Sequence, residues 1–566
     1  MFPNLKWRRE TFLPDLGAGL SVALVSIPEG MAYAIVAGVN PIYGLYTGML
    51  TTLVASLTSN TSLLIVTATN ALALVTAEHM AGLGKDVDPA RALFTLTMLV
   101  GVIMFVLGVL RMGSVIRFVS REIMTGFVFA TALLVVLGQV KDLVGYSSSL
   151  DSGKLVKAID SMVHIREWST SDAIVGFASI GALLLLGHTP LKHWAGLLAI
   201  LISSLFVSFV GWDQVKVVGD ISAVPKGLAA LPTPVLPDLK LIPTLFLGAI
   251  AAAVVGLAES SGIGATYPNR DGKRSDMSQD FLGQGLGNIA GSFFQSMPAG
   301  GSLSRTGINF EGGARTRWSG IYAGIMIAVV LVLFGNYAEL IPMSGLAALL
   351  IFIGFEIMIR EGRELMISWK ISRLNTATAF VTIAVGVMLG LTAAIFTGVA
   401  FSLLSYAVVS STQFTIVRMM RRPDGVWEDH DVPEQLPSNE IAVIEIRGTA
   451  YFASVYTFDE LLPSLEATDN SVIILRVRDR SVESFTGLKW LMKYASGLEI
   501  TGNKLMLADL EERSLAKLES FGAVEHLGRE NLFLTETTTH GAIEKALAAA
   551  EAWIAVPKPP TAPEDQ

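Results

Sequence analysis

The 566-residue chain has no cysteine, which excludes a disulfide framework, a thiolate nucleophile and a Cys-ligated metal. It is also poor in charge: 16% of its residues are Asp, Glu, Lys or Arg, against about 25% in an average soluble domain. Its seven histidines show no His-Glu-x-x-His spacing, and neither a P-loop nor a nucleophile elbow occurs. No enzyme activity, bound metal or cofactor is therefore expected, and no nucleic-acid partner. The 53 glycines follow no Gly-X-Y period and sit among Leu, Val, Ala and Ile, so collagen-like and disordered readings fail. What is abundant is apolar: 52% of the residues, with a mean hydropathy of +0.55. Such a chain belongs in a lipid bilayer.

A helix crosses a hydrocarbon core of about 30 Å with roughly 20 mainly apolar residues, so the gaps between charges mark the spans. No Asp, Glu, Lys or Arg occurs between Glu29 and Glu78 or over residues 374–417, and each of these gaps has room for two spans. Single-span gaps cover residues 92–110, 123–140, 173–191, 193–212, 241–258, 281–304, 318–338 and 340–355. With residues 16–38 these give about 13–14 crossings. Lys6, Arg8, Arg9 and Glu10 precede the first span without a clean cleavage site, which argues against a secretory leader. With 14 spans, the basic stretches 1–15, 111–121, 192–193, 270–274, 315–317 and 360–373 all fall on the side of the N-terminus. Residues 78–91, 141–172 and 212–240, mixed or acidic, fall opposite. The positive-inside rule then predicts a multi-pass protein of the inner (plasma) membrane with both termini cytoplasmic.

The chain thus divides into a cytoplasmic N-terminus at 1–14, a membrane domain at 15–420, a polar linker at 421–437, an α/β domain at 438–550 and a disordered tail at 551–566. The α/β reading rests on two buried-strand patterns, residues 441–446 and 472–477. Helical patterns at 487–495 and 510–521, a short strand at 532–534 and a last helix at 541–554 follow. The tail is Pro-rich and acidic, hence expected to be disordered.

A few charges sit at membrane depth. Glu29 follows Pro28 in the first span, Glu259 ends the apolar run from 241, and Arg305 follows a Gly-Gly-Ser-Leu-Ser stretch. An ionisable group there is costly and is a functional candidate by default. Two segments read as broken helices. Thr67-Ala68-Thr69-Asn70-Ala71 suits an extended approach and an N-cap, and Met297-Pro298-Ala299-Gly300-Gly301 breaks the chain before a second short segment. They occupy comparable places in the two halves of the membrane region. Transporters built from inverted repeats aim half-helix N-termini at an anionic substrate from such positions. The expected ligand is a small anion.

The residues Ile27-Pro28-Glu29-Gly30-Met31-Ala32-Tyr33-Ala34, Pro41-Ile42-Tyr43-Gly44-Leu45-Tyr46, Gly283-Gln284-Gly285-Leu286-Gly287-Asn288, Ser302-Leu303-Ser304-Arg305-Thr306 and 312–320 closely resemble the SulP family of anion transporters. The C-terminal unit resembles that family's STAS domain. The resemblance implies a polytopic α-helical membrane protein of 14 segments, arranged as two inverted repeats of seven and split into core and gate domains. It also implies a homodimer and elevator-type alternating access. Carried over residue by residue, it assigns Glu29, Tyr33, Thr69, Asn70, Ser304 and Arg305 to substrate binding and Glu259 to proton coupling. Sodium-driven relatives carry Asp at the place of Glu259, which points this chain toward protons. The sequence departs from most relatives at Glu29, where they have Gln, and at Thr67-Ala68, where they have Gly-Pro.

Two helix N-termini each present about half a positive charge, and Arg305 adds one that does not titrate away. On this reading Glu259 balances Arg305 while the site is empty. Glu29 has three roles open to it: a second proton carrier, a filter for protonated or monovalent substrates, or a group turned away from the ligand. The expected activity is secondary transport of a sulfate-, bicarbonate- or dicarboxylate-class anion with protons, the alternative being an uncoupled channel or exchanger. In the STAS-like unit, Phe485 replaces a residue that is phosphorylated in related regulators. A regulator of this unit is not specified by the sequence, and Ser481, Ser484 and Thr486 remain as modifiable positions.

Overall fold

The computed structural model describes residues 7–556 apart from 85, 114–119, 151, 413–414, 448–460, 465–467 and 478–484. It divides into two compact units, Met1–Ser402 and Leu403–Gln566. The first is helical: α1 (Arg9–Val36), α2 (Pro41–Tyr46) joined by a π-turn at Thr47–Thr51 to α3 (Thr52–Thr58), then β1 (Val66–Thr67), α4 (Asn70–Ala81), α5 (Pro89–Val109) and α6 (Arg121–Val144). There follow α7 (Lys154–Val163), α8 (Thr170–Gly187), α9 (Ala195–Val210), α10 (Ile242–Ser261), α11 (Ile263–Thr266) and α12 (Met277–Ser292). The unit continues with β2 (Gly300–Gly301), α13 (Leu303–Glu311), α14 (Trp318–Phe334), α15 (Met343–Ile371), α16 (Arg373–Leu389) and the first part of α17 (Leu391–Thr412), which runs past the division at Ser402. Among the described residues seven helices are long and apolar enough to cross a membrane, and three shorter apolar ones follow the same composition. The broken α2–α3 rod, α12 and the half-helices α4 and α13 complete fourteen segments.

Close helix crossings are set by glycine. A Cβ on Gly44 would lie 1.9 Å from the Gly30 carbonyl oxygen, so α1 and α2 touch backbone to backbone. Gly101 and Gly108 of α5 and Gly285 of α12 do the same between those helices, where added Cβ atoms would fall 2.4–2.6 Å from backbone nitrogens. In lipid, small residues that admit such approach take over what hydrophobic burial does in water. Buried carboxylates tie the loops at the helix ends. Asp15 of α1 accepts hydrogen bonds from the Arg315 and Thr316 backbone N–H groups (2.7 and 2.9 Å) and from the Thr316 hydroxyl (2.6 Å). Asp280 of α12 accepts from the Thr61 N–H (2.7 Å) and its hydroxyl (2.5 Å).

The second unit is an α/β fold around a six-stranded sheet of order β4-β3-β5-β6-β7-β8. Its strands are β3 (Thr415–Arg421), β4 (Trp427–His430), β5 (Ile441–Arg447), β6 (Val472–Arg476), β7 (Lys504–Leu510) and β8 (Leu532–Leu534). The helices are α18 (Phe485–Ile500), α19 (Glu512–Ser520), α20 (Ala523–Leu527) and α21 (Gly541–Ile554). Strands β5 to β8 run parallel, while β3 pairs antiparallel with both β4 and β5.

The structure differs from the expected division at two places. Residues 415–430, divided by the sequence reading between membrane domain and linker, form the β3–β4 hairpin, because Arg422-Pro423-Asp424-Gly425 is a turn. There the Gly425 N–H donates to the Arg422 carbonyl (2.9 Å) and Gly425 takes φ +88°. Residues 551–554, placed in the tail, end α21 instead, since Ala542, Ile543, Ala546 and Ala550 of that helix are buried on the sheet. Residues 557–566, and Ser481 and Ser484, lie outside the described residues.

Candidate functional site

The centre of the first unit is a two-residue antiparallel ribbon in which Val66 faces Gly301 and Thr67 faces Gly300. The Ser302 N–H extends it by donating to the Ile65 carbonyl (2.9 Å). Because the strands are antiparallel, α4 and α13 leave the ribbon in opposite directions and both present their N-termini to it. Glycine is needed on the β2 side: a Cβ on Gly301 would lie 2.6 Å from Ser260 Cβ, and one on Gly300 2.9 Å from Gly256 Cα. Helix α10 thus lies directly on the ribbon. Two amides of α12 hold the approach to β2. Asn288 donates to the Ala299 carbonyl and accepts from its N–H, both at 2.8 Å. Gln284 accepts from the Gly301 N–H and donates to the Ser260 hydroxyl, both at 3.0 Å.

Each half-helix is capped by a hydroxyl, since the first N–H groups of a helix have no partner within it. Thr69 accepts from the Leu72 N–H (3.3 Å), and Ser302 from the Arg305 N–H (3.4 Å). The N–H groups of Asn70 and Ala71, and of Leu303 and Ser304, remain without a partner inside their helices. The Asn70 side-chain oxygen is likewise buried with no partner.

Arg305 is 2% exposed. Its Nη2 donates to Glu29 Oε2 at 2.5 Å, its Nη1 to Ser302 Oγ at 3.2 Å and its Nε to Ser26 Oγ at 3.2 Å. The Tyr33 hydroxyl donates to the same Glu29 oxygen (3.4 Å), and the guanidinium lies 5.6 Å from the centre of the Tyr33 ring. Across the ribbon, Glu259 Oε2 accepts from the Thr69 hydroxyl at 2.8 Å. The two halves are thus cross-wired: the α1 carboxylate meets the start of α13, and the α10 carboxylate meets the start of α4.

The structure brings together Glu29, Tyr33, Thr69, Asn70, Glu259 and Arg305. It alters two expectations. Ser304 is exposed and does not cap α13; Ser302 does, because it is the residue with extended backbone (φ −98°, ψ 115°) directly before the first helical turn. The partner of Arg305 is Glu29 and not Glu259, since α1 packs along α13 and brings Ser26 and Glu29, one turn apart, onto the guanidinium. Ser26, Ser302, Gln284 and Asn288 were not singled out from sequence as site residues. The signal for Ser26 was its spacing of three from Glu29, and the other three lie within the family-like motifs. Among the described residues no three His, Asp or Glu side chains gather as a metal site.

The sequence profile of the sulfate permease family matches residues 12–382. The chain belongs to this family. A probable sulfate transporter 4.2 of Arabidopsis thaliana is 27% identical over 94% of this chain and 82% of its own length. The putative sulfate transporter YvdB of Bacillus subtilis is 25% identical, with 93% and 96% covered. Among solved structures, SLC26A9 superposes with a TM-score of 0.84 at 18% identity, over 97% of this chain and 91% of that one. The transmembrane domain of the cyanobacterial bicarbonate transporter BicA gives 0.59 at 19%, over 69% and 98%. At these identities the superpositions establish the fold of this sulfate permease homologue, a helical membrane-transporter fold with an appended α/β unit.

Proposed function

We propose that the protein is a secondary transporter of small anions of the sulfate, bicarbonate or dicarboxylate class, coupled to protons. The observation that carries this reading is the Arg305–Glu29 contact at the mouth of α13. A buried guanidinium beside two helix N-termini attracts an oxyanion, yet a carboxylate of the protein already occupies it. An incoming anion must displace Glu29, and a proton on Glu29 removes the competitor. Proton and anion therefore favour each other's binding, which is reciprocal by linkage. Glu259, hydrogen-bonded to the Thr69 cap, is the group that carries the proton across with the anion on this reading, with Glu29 as a second. The names of the relatives, sulfate and bicarbonate transporters, support the substrate class.

The ribbon, the half-helices and the glycine-packed α5–α12 pair support movement of the site as one body against α6, α8 and α15, an elevator-type cycle. The distribution of Lys and Arg supports cytoplasmic termini in the plasma membrane. Homodimeric assembly rests on the family resemblance.

Proteoliposomes test the reading with labelled sulfate, bicarbonate and succinate at two pH values and with an imposed pH gradient. Uptake of one of these is expected to rise when the proton gradient points inward, and Glu259→Gln is expected to abolish that response. Uptake indifferent to the gradient leaves uncoupled exchange. Arg305→Ala together with Glu29→Gln avoids leaving a lone buried charge. It should weaken anion binding about 10–100-fold, the worth of charged hydrogen bonds of roughly 1.5–3 kcal/mol; unchanged affinity removes the site assignment.

A further inference from the structure

A cavity of about 370 Å³ lies between the C-terminal end of α1 and the N-terminal half of α4 on one side and α6 and α7 on the other, and Arg305 does not line it. On one wall are Ile35 and Val36, within a turn of Tyr33, and Leu74, one turn beyond Asn70. At 1.5 Å per residue this wall begins roughly 6 Å along α4 from the start of that half-helix. On the other wall stand three ammonium groups, Lys141 of α6 and Lys154 and Lys157 of α7, with a single carboxylate, Asp142, among them.

The lysines are available to a ligand. Lys141 lies 4.0 Å from Asp142, and among the described residues neither Lys154 nor Lys157 has an ion-pair partner. Gln139 also lines the cavity; it is 6% exposed, and among the described residues its side-chain amide makes no hydrogen bond. An amide at a cavity wall with no described protein partner is free to donate to a ligand or water.

Helix α7 is built to close this space. Lys154, Lys157, Ala158 and Ser161 recur at helical spacing and face the cavity, whereas Leu155, Val156, Ile159, Met162 and Val163 are exposed on the opposite side. Its C-terminal end is fixed by the Trp168 indole N–H, which donates to the Ser161 carbonyl (2.7 Å). By the alternation of spans, α7 lies on the face opposite the termini.

We propose that this cavity is an outer antechamber that binds the small anion through Lys141, Lys154, Lys157 and Gln139 before it reaches the half-helix site. The proposal rests on the anion-transport reading and adds a second, lower-specificity station to it. Three cations at a walled mouth raise the local anion concentration, an effect that fades as salt screens it.

The test uses the full chain in proteoliposomes, with sulfate, bicarbonate and succinate offered from the outer face, and equilibrium binding of the same anions in detergent. Relative to wild type, the triple variant Lys141→Gln, Lys154→Gln, Lys157→Gln should raise KM about 3–10-fold. It should leave kcat within about twofold and flatten the salt dependence of kcat/KM. Replacing the three lysines by arginine should restore both. If wild type binds and carries an anion and the glutamine variant matches its KM and salt dependence, the antechamber is overturned and the transport reading stands. If wild type neither binds nor carries any of the three, both are overturned.

Discussion

At Glu29 a buried ion pair of the fold coincides with the proposed anion site. Removing one partner of a buried ion pair costs about 3–5 kcal/mol because the other charge is stranded, so the informative change keeps the shape. Glu29→Gln retains an acceptor for Arg305 and Tyr33 but removes the competing charge. Anion affinity at neutral pH is expected to rise relative to wild type, read by equilibrium binding of sulfate, bicarbonate and succinate to the two proteins. At Asp15 the stakes are purely structural. Asp15→Ala leaves two N–H groups and a hydroxyl without their acceptor, each worth about 1–3 kcal/mol when buried. A clear drop in thermal midpoint is expected without a change in substrate affinity in the protein that survives. The sequence exposed Glu29, Glu259 and Arg305 because charge at membrane depth is rare. It could not say which carboxylate meets the arginine, since that depends on how α1 lies along α13, a three-dimensional fact that spacing within either segment does not contain.

Among elements, the α1–α2 crossing is the sharpest case. Gly44→Ala would drive a methyl group into the Gly30 carbonyl, and overpacking of this kind costs about 1–3 kcal/mol. Gly17→Ala in the same α1 meets nothing within 4 Å and is expected to be neutral or stabilising by about 0.5–1 kcal/mol. Thermal unfolding of the two purified variants in one detergent gives the comparison. The spans themselves were legible as charge-free gaps, and the half-helices as Pro, Gly and hydroxyl clusters. The β3–β4 hairpin was not: Arg421 and Arg422 looked like a polar linker, because Met419 is the one buried residue of β3 and β4 has none, so neither strand shows an apolar face.

For the whole molecule, the lack of cysteine supplies a clean test of topology. Ser148→Cys should react with an impermeant maleimide added outside intact cells, and Lys273→Cys only after permeabilisation; the reverse pattern inverts the orientation. The second unit carries a different expectation. Asp429, held below the usual carboxylate range first by its hydrogen bond from Arg447, favours the fold above the ordinary carboxylate pKa of about 3.9. That contribution is lost as pH falls through the lower folded value. The pair is half exposed, so Asp429→Asn should cost no more than about 1 kcal/mol. The loss should be seen at pH 7 and vanish near pH 2 in melts of the full chain.

The Val66–Gly301 ribbon separates what the protein can change from what it cannot. Its strands are paired through backbone atoms, and the groups proposed to meet an anion hang from neighbouring positions on α1, α4, α10 and α13. Replacing a side chain at 29, 69, 259 or 305 therefore alters the charge and shape offered to the ligand while the frame stays registered. On the proposed reading, shape-keeping substitutions at these four positions retune the site without rebuilding the ribbon that holds it.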